Sequence, residues 1–212
     1  MKRVGASSAK ATVVMVSDKE HHWLLSGGIG SGKTTVRQLF EEFGVQTVDS
    51  DSIGHDVIAP EGPAFAEVAS TWPEVLTGGA IDRPALGRVV FSDQALLRKV
   101  ERITHPHILR TIELIAREAL GLLVVEIPLI STSLSSSWRR LVVDASPSVR
   151  LERLVSRGMD SADAVQRMGA QPSRSDWLAI ADVVVPNDQD VGELTLTCET
   201  LIRSRVFSDV QS

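Results

Sequence analysis

The stretch WLLSGGIGSGKTT, from Trp23 to Thr35, restricts the fold of this chain more than any other part of it. Gly27, four further residues, then Gly32, Lys33 and Thr34 satisfy the phosphate-binding pattern G-x-x-x-x-G-K-[ST]. A polyphosphate is held best by a concave run of backbone N–H groups, and glycines let the backbone come that close. Lys33 adds a point charge for the outer phosphates, and the Thr34 hydroxyl is a ligand for the magnesium that accompanies a nucleoside triphosphate. The flanks agree with such a loop. Trp23, Leu24 and Leu25 form a short apolar run before it. Val36, Leu39, Phe40 and Phe43 recur at helical spacing after it, and Gly44 supplies a stop. The pattern therefore predicts strand, loop and helix in succession, with the helix N-terminus directed at the phosphates.

Length and composition bound the rest. A chain of 212 residues, 43% hydrophobic and 23% charged, is one globular domain with a substantial core. A net charge of −5 gives no basic footprint for nucleic acid, and no apolar run approaches the roughly 20 residues of a membrane span. The single cysteine, Cys198, has no partner within the chain and fits a reducing, cytoplasmic setting. Residues 1–20 read as a flexible N-terminal extension. Met15 is an alternative start, which N-terminal sequencing would decide.

Beyond the first helix, VQTVDSD is a β-prone run ending in Asp49 and Asp51. In a parallel sheet the carboxyl ends of strands face the ligand crevice, which sets Asp51 opposite Lys33. Two carboxylates two residues apart on an extended chain share a side, one as base and the other for magnesium; a helix N-cap is the competing reading. Residues 54–120 contain no strand-like run and read as a helical insertion. It comprises a helix near Ala64 to Ser70, a loop from Pro73 to Asp82, a helix from Arg83 with Pro84 in its first turn, and two further helical runs. Pro106 is expected to start the last of these, with His105 near its cap. His105 and His107 are too close in sequence to ligate a metal from one helix face.

LLVVEIP, Leu122 to Pro128, reads as a buried parallel strand closing on Glu126, for which a water-mediated magnesium contact and a backbone pairing both stand open. A polar loop, Ser131 to Ser137, and a strand, Arg139 to Ala145, follow. In SPSVRLERLVSRG, Ser146 and Pro147 open a helix and Gly158 stops it. Arg150, Arg153 and Arg157 are spaced to share one face, either solvated or covering an anion. Helices over Asp160 to Gln171, Ser173 to Ala181 and Val191 to Val206 are expected around a last strand, Asp182 to Asn187. Asn187 stands where its amide could meet a purine edge.

Taken together these segments resemble the dephospho-coenzyme A kinase family, P-loop enzymes of the nucleoside-monophosphate-kinase type. The resemblance rests on SGGIGSGKTTV, VDSD, IDRPAL, VVFSD, ITHPHI, IPL, DASP with R-L-x-x-R, RMGAQ and ADVVVPN, in unbroken order from Trp23 to Ile202. It implies a P-loop three-layer α/β/α fold with a mostly parallel five-stranded sheet. It also implies a helical substrate-binding insertion and an arginine-bearing helical lid over about 150–180, within a kinase domain of residues 21–206 and ahead of a tail, 207–212.

The implied reaction is transfer of the γ-phosphoryl group of ATP, with magnesium, to the ribose 3′-hydroxyl of dephospho-coenzyme A, in a cytoplasmic monomer or weak homo-oligomer. Carried over by motif, Asp51, Lys33 and Arg153 are catalytic. Gly28, Ile29, Gly30, Ser31, Gly32, Lys33, Thr34, Thr35, Arg157 and Asn187 hold the nucleotide, and Thr34 the metal. Ser26, Asp51, Arg83, His105 and Pro106 serve the acceptor. Ser26 stands where the family usually has threonine, and Thr132 where it commonly has an acidic residue. Two alternatives remain open on the residues alone: a kinase of another small alcohol such as shikimate, and an ATP-binding regulatory module without turnover.

Overall fold

The apolar runs read from sequence pair with one another as parallel strands, because the central ones are buried on both faces and need helices on either side, while the edge runs Gln46–Asp49 and Val183–Pro186 are partly exposed. A computed structural model describes residues 22–128, 134 and 138–204. The extension 1–20, Thr132, most of the serine-rich loop, the tail 207–212 and the end of the last expected helix lie outside the described residues.

Strands β1 (His22–Ser26), β2 (Gln46–Asp49), β5 (Leu123–Glu126), β6 (Arg139–Asp144) and β7 (Val183–Pro186) form one sheet in the order β2-β5-β1-β6-β7. Every pairing in it is parallel. Alternation along the strands divides the core. Leu24, Leu123 and Val125 face one side, where α2 (Ser50–Val57), α3 (Phe65–Thr71), α4 (Arg83–Phe91) and α5 (Gln94–Glu118) pack. Trp23, Leu25, Val124, Leu141 and Val143 face the other, against α1 (Lys33–Glu42) and α9 (Val191–Arg203). The α1 stripe of Val36, Leu39 and Phe40 is buried as expected, while Phe43 ends the helix at the surface. Burying Phe40 alone contributes about 1.5–3 kcal/mol.

Chain direction fixes where a ligand can sit. In the strand order the chain leaves β1 in one direction, toward β2, and leaves β5 in the opposite direction, toward β6. The crevice outside the carboxyl ends of β1 and β5 is thus the topological switch point.

Residues 54–120 depart from expectation twice. They contain a small antiparallel hairpin, β3 (Leu76–Thr77) with β4 (Ala80–Ile81). Its two-residue turn is Gly78-Gly79 at φ +59° and +82°, the backbone that a tight hairpin demands and glycine supplies. Second, Pro106 does not start a helix: α5 runs unbroken from Gln94 to Glu118 with Pro106 inside it. The missing N–H and the ring's clash cost about 3 kcal/mol. Packing offsets this cost, since Ile103, Ile112 and Ala116, on both sides of the proline, are buried on one face while Pro106 itself is exposed.

The arginine-bearing segment consists of α6 (Pro147–Ser156), α7 (Ser161–Gly169) and α8 (Arg174–Ala179). Each helix has a sequence-encoded start: Pro147 at the first position, the Asp160 side chain accepting from Ala162 N, and a reciprocal cap between Ser173 and Asp176.

Candidate active site

The loop between β1 and α1 closes over its own carbonyls. Lys33 Nζ donates to the carbonyls of Gly27 at 3.0 Å and Gly28 at 3.2 Å. Burial holds its pKa below the ordinary lysine value, opposed by the Glu126 carboxylate. Gly32 caps α1 at φ +98°, and a side chain there would also overlap the Asn187 amide. Gly28 has no positive φ. Glycine is needed there because any Cβ would overlap the Arg150 guanidinium.

The carboxylates approach from two neighbouring strands. Asp49 ends β2 and caps α2, its Oδ1 accepting from Asp51 N at 2.9 Å. The chain turns helical directly after β2, so Asp51 lies in the first turn of α2 rather than beside Asp49 on an extended strand. Capping belongs to Asp49, which leaves the Asp51 carboxylate to the cleft. Solvent reaches that carboxylate, yet protein surrounds enough of it to push its pKa above the ordinary value, and Asp49 adds to the rise. Glu126, at the end of β5, accepts from Thr34 Oγ1 at 3.0 Å and from Arg37 Nε at 2.9 Å. The sequence leaves a water-mediated magnesium contact or a backbone pairing open for Glu126, and its carboxylate pairs with the Thr34 and Arg37 side chains. A carboxylate closing an otherwise apolar buried strand is the signal that marks it.

These groups line a cleft of about 330 Å³, which brings together Ile29, Gly30, Gly32, Lys33, Thr34 and Thr35 of the loop with Asp51, Glu126, Arg157 and Gln171. Other expected site residues lie elsewhere. Ser26 and Ser31 are buried at and beneath the loop. Arg83 pairs with the His55 imidazole beside a separate hollow formed with Ile81, Asp82 and Pro84. His105 and Pro106 lie midway along α5 and do not line the cleft.

The three arginines of α6 and its end do not share one anion. Arg150 is buried and its Nε donates to the Ile29 carbonyl at 2.7 Å. Arg153 donates to the Asn187 carbonyl at 2.9 Å and more weakly to those of Ser31 and Gln189. Arg157, exposed, is the one that reaches the cleft. Asn187 is buried, with Nδ2 donating to the Ser31 carbonyl at 2.7 Å, so its amide braces the loop from behind instead of standing open to a base.

What the arrangement can do follows from its donors and acceptors. Loop N–H groups and Lys33 suit phosphates, and Asp51 suits a hydroxyl that must lose a proton. Thr34 with Glu126 behind it suits a hard cation that takes its remaining ligands from phosphates and water. Among the described residues no cluster of three or more His, Cys, Asp or Glu side chains is placed to hold a metal unaided.

A family model described as dephospho-CoA kinase matches residues 23–193. The dephospho-CoA kinase of Hydrogenovibrio crunogenus is 36% identical over 188 residues, covering 85% of this chain and 95% of that protein. That of Streptomyces avermitilis is 41% identical over 177 residues, covering 80% and 86%. Among solved structures, TT1252 from Thermus thermophilus superposes with a TM-score of 0.74 at 28% identity, covering 85% of this chain and 94% of that one. The dephospho-CoA kinase from Campylobacter jejuni has the same fold, with a TM-score of 0.65 at 21% identity over 89% and 98%. On the extent of the family match and of these alignments, the chain belongs to the dephospho-CoA kinase family.

Proposed function

We propose that the protein transfers the γ-phosphoryl group of ATP to the ribose 3′-hydroxyl of dephospho-coenzyme A, the last step of coenzyme A synthesis. The observation that carries this reading is the meeting of Lys33 and Asp51 in one cleft at the sheet's switch point, in a chain of this family. ATP lies with its phosphates in the loop, and Lys33 swings from the Gly27 and Gly28 carbonyls onto the outer phosphates. Asp51 accepts the proton of the attacking hydroxyl, its raised pKa making it a better base than an ordinary carboxylate. Thr34, with Glu126 behind it, would hold magnesium, which would supply charge neutralisation for phosphoryl transfer.

Arg157 adds positive charge from the lid side. Arg153 braces the loop against β7 and reaches the migrating group only by releasing the Asn187 and Gln189 carbonyls. The helical segment from Gly54, including Arg83, His105 and Pro106, receives the coenzyme. The protein acts in the cytoplasm as a monomer or weak homo-oligomer, without nucleic acid or membrane partners; among the described residues no helix is long and apolar enough to cross a membrane.

A coupled ADP-release assay with dephospho-coenzyme A and magnesium tests this reading. Stoichiometric ADP and coenzyme A are expected. A folded, ATP-binding protein that releases none would refute it, and a screen of small alcohols including shikimate would then find the acceptor.

A further inference from the structure

Gln171 stands at the joint between α7 and α8, and the chain fixes it from both sides. Its own N–H reaches the Met168 carbonyl at 3.4 Å, Pro172 sets the next φ, and Ser173 opens α8 with its reciprocal cap. From this joint Oε1 accepts from Ile29 N–H at 2.7 Å, across 142 positions of sequence. That partner determines how the carboxamide is turned. Only the oxygen can face an N–H, so Nε2 carries its two hydrogens away from Ile29. Among the described residues Nε2 has no acceptor. Gln171 lines the same cleft as Lys33, Thr34, Asp51 and Arg157.

An amide whose acceptor end is committed and whose donor end has no partner among the described residues, in a cleft built for phosphates, matches a ligand made of acceptor oxygens. We propose that Gln171 is a donor-side catalytic residue, its Nε2 hydrogen-bonding the terminal phosphoryl group of the nucleoside triphosphate while Oε1 clasps Ile29. The assignment rests on the kinase reading, which sets the terminal phosphoryl between Lys33 and Asp51. Ile29 is held at both backbone atoms by the arginine-bearing segment, its N–H by Gln171 and its carbonyl by Arg150. The same side chain thus ties the lid to the loop and senses whether the third phosphate is present. A diphosphate leaves Nε2 without a partner, and the lid is then held by one contact fewer.

Gln171→Glu separates the two ends of the side chain, because it keeps an oxygen for Ile29 and replaces the donor with a carboxylate that repels phosphate. Calorimetric titration of the full chain with magnesium is expected to show ADP affinity within about twofold of wild type, and affinity for a non-hydrolysable ATP analogue weakened about tenfold or more. Single-turnover phosphoryl transfer is expected to fall further than analogue binding.

Gln171→Met, which removes both ends, is the second variant and is expected to show the same split with a lower melting temperature. Equal losses for ADP and the analogue in the folded variants, or unchanged affinity for both, would overturn the proposal and leave a structural clasp. Should wild type transfer nothing to dephospho-coenzyme A while the ADP-versus-analogue split persists, the acceptor reading fails and the role of Gln171 stands.

Discussion

Asp51 is asked both to sit among protein groups and to stay ionised. Burial and Asp49 raise its pKa above the ordinary 3.8, so the folded protein keeps a proton at pH values where the unfolded chain has lost it. Stability therefore falls as pH rises through that window and stays lower above it. Asp51→Asn removes the penalty. At neutral pH it is expected to raise the melting temperature in calorimetry while lowering turnover about 10²–10⁴-fold with ATP affinity retained. The same shift moves the acid limb of the kcat/KM profile upward from where an unperturbed aspartate would set it, which a pH series on wild type would show. Gly28 poses a steric question instead. Its alanine variant meets no backbone barrier but must displace Arg150 from the Ile29 carbonyl, with an expected loss of about 1–3 kcal/mol of stability by denaturant titration and weaker nucleotide binding.

Helix α5 holds a proline for which its neighbours' packing compensates. Pro106→Ala restores the N–H for the Arg102 carbonyl and is expected to stabilise the protein by about 1–3 kcal/mol, read by chemical denaturation. If the proline shapes the coenzyme surface, KM for dephospho-coenzyme A rises at the same time with kcat unchanged. The break expected at Pro106 illustrates which elements local sequence encodes. Strands β1, β5 and β6 and the start of α1 were legible because apolar runs and the glycine-lysine-threonine pattern are local signals. The continuity of α5 was not, because it depends on what Ile103 and Ile112 touch in other helices. The turn at Gly78-Gly79 was written in the sequence, yet the strands beside it are only two residues each, too short to show alternation. In the site, the loop and Asp51 were readable from spacing. Glu126, the inward turn of Arg150 and Arg153, and the reach of Gln171 to Ile29 join residues some 90 to 140 positions apart, which no periodicity records.

Across the whole molecule, the side of the sheet opposite α5 is sealed by α9, whose Cys198 is fully buried with its thiol pushed up to about 11 by the apolar surroundings. A neutral, inaccessible thiol does not react. Native protein is expected to resist a thiol reagent, with modification appearing only at the rate of opening, a kinetic measure of stability without denaturant. The brace behind the phosphate loop has a different consequence. Ser31 comes early in the chain, but it is held by Asn187 and Arg153, and the Asn187 side chain arrives only after β7 has been made. During ribosomal synthesis the loop therefore leaves the exit tunnel long before its support exists. A stalled nascent chain ending before Pro186 should bind no nucleotide, and one extended through α9 should bind it, so nucleotide capture reports that synthesis of the domain is complete.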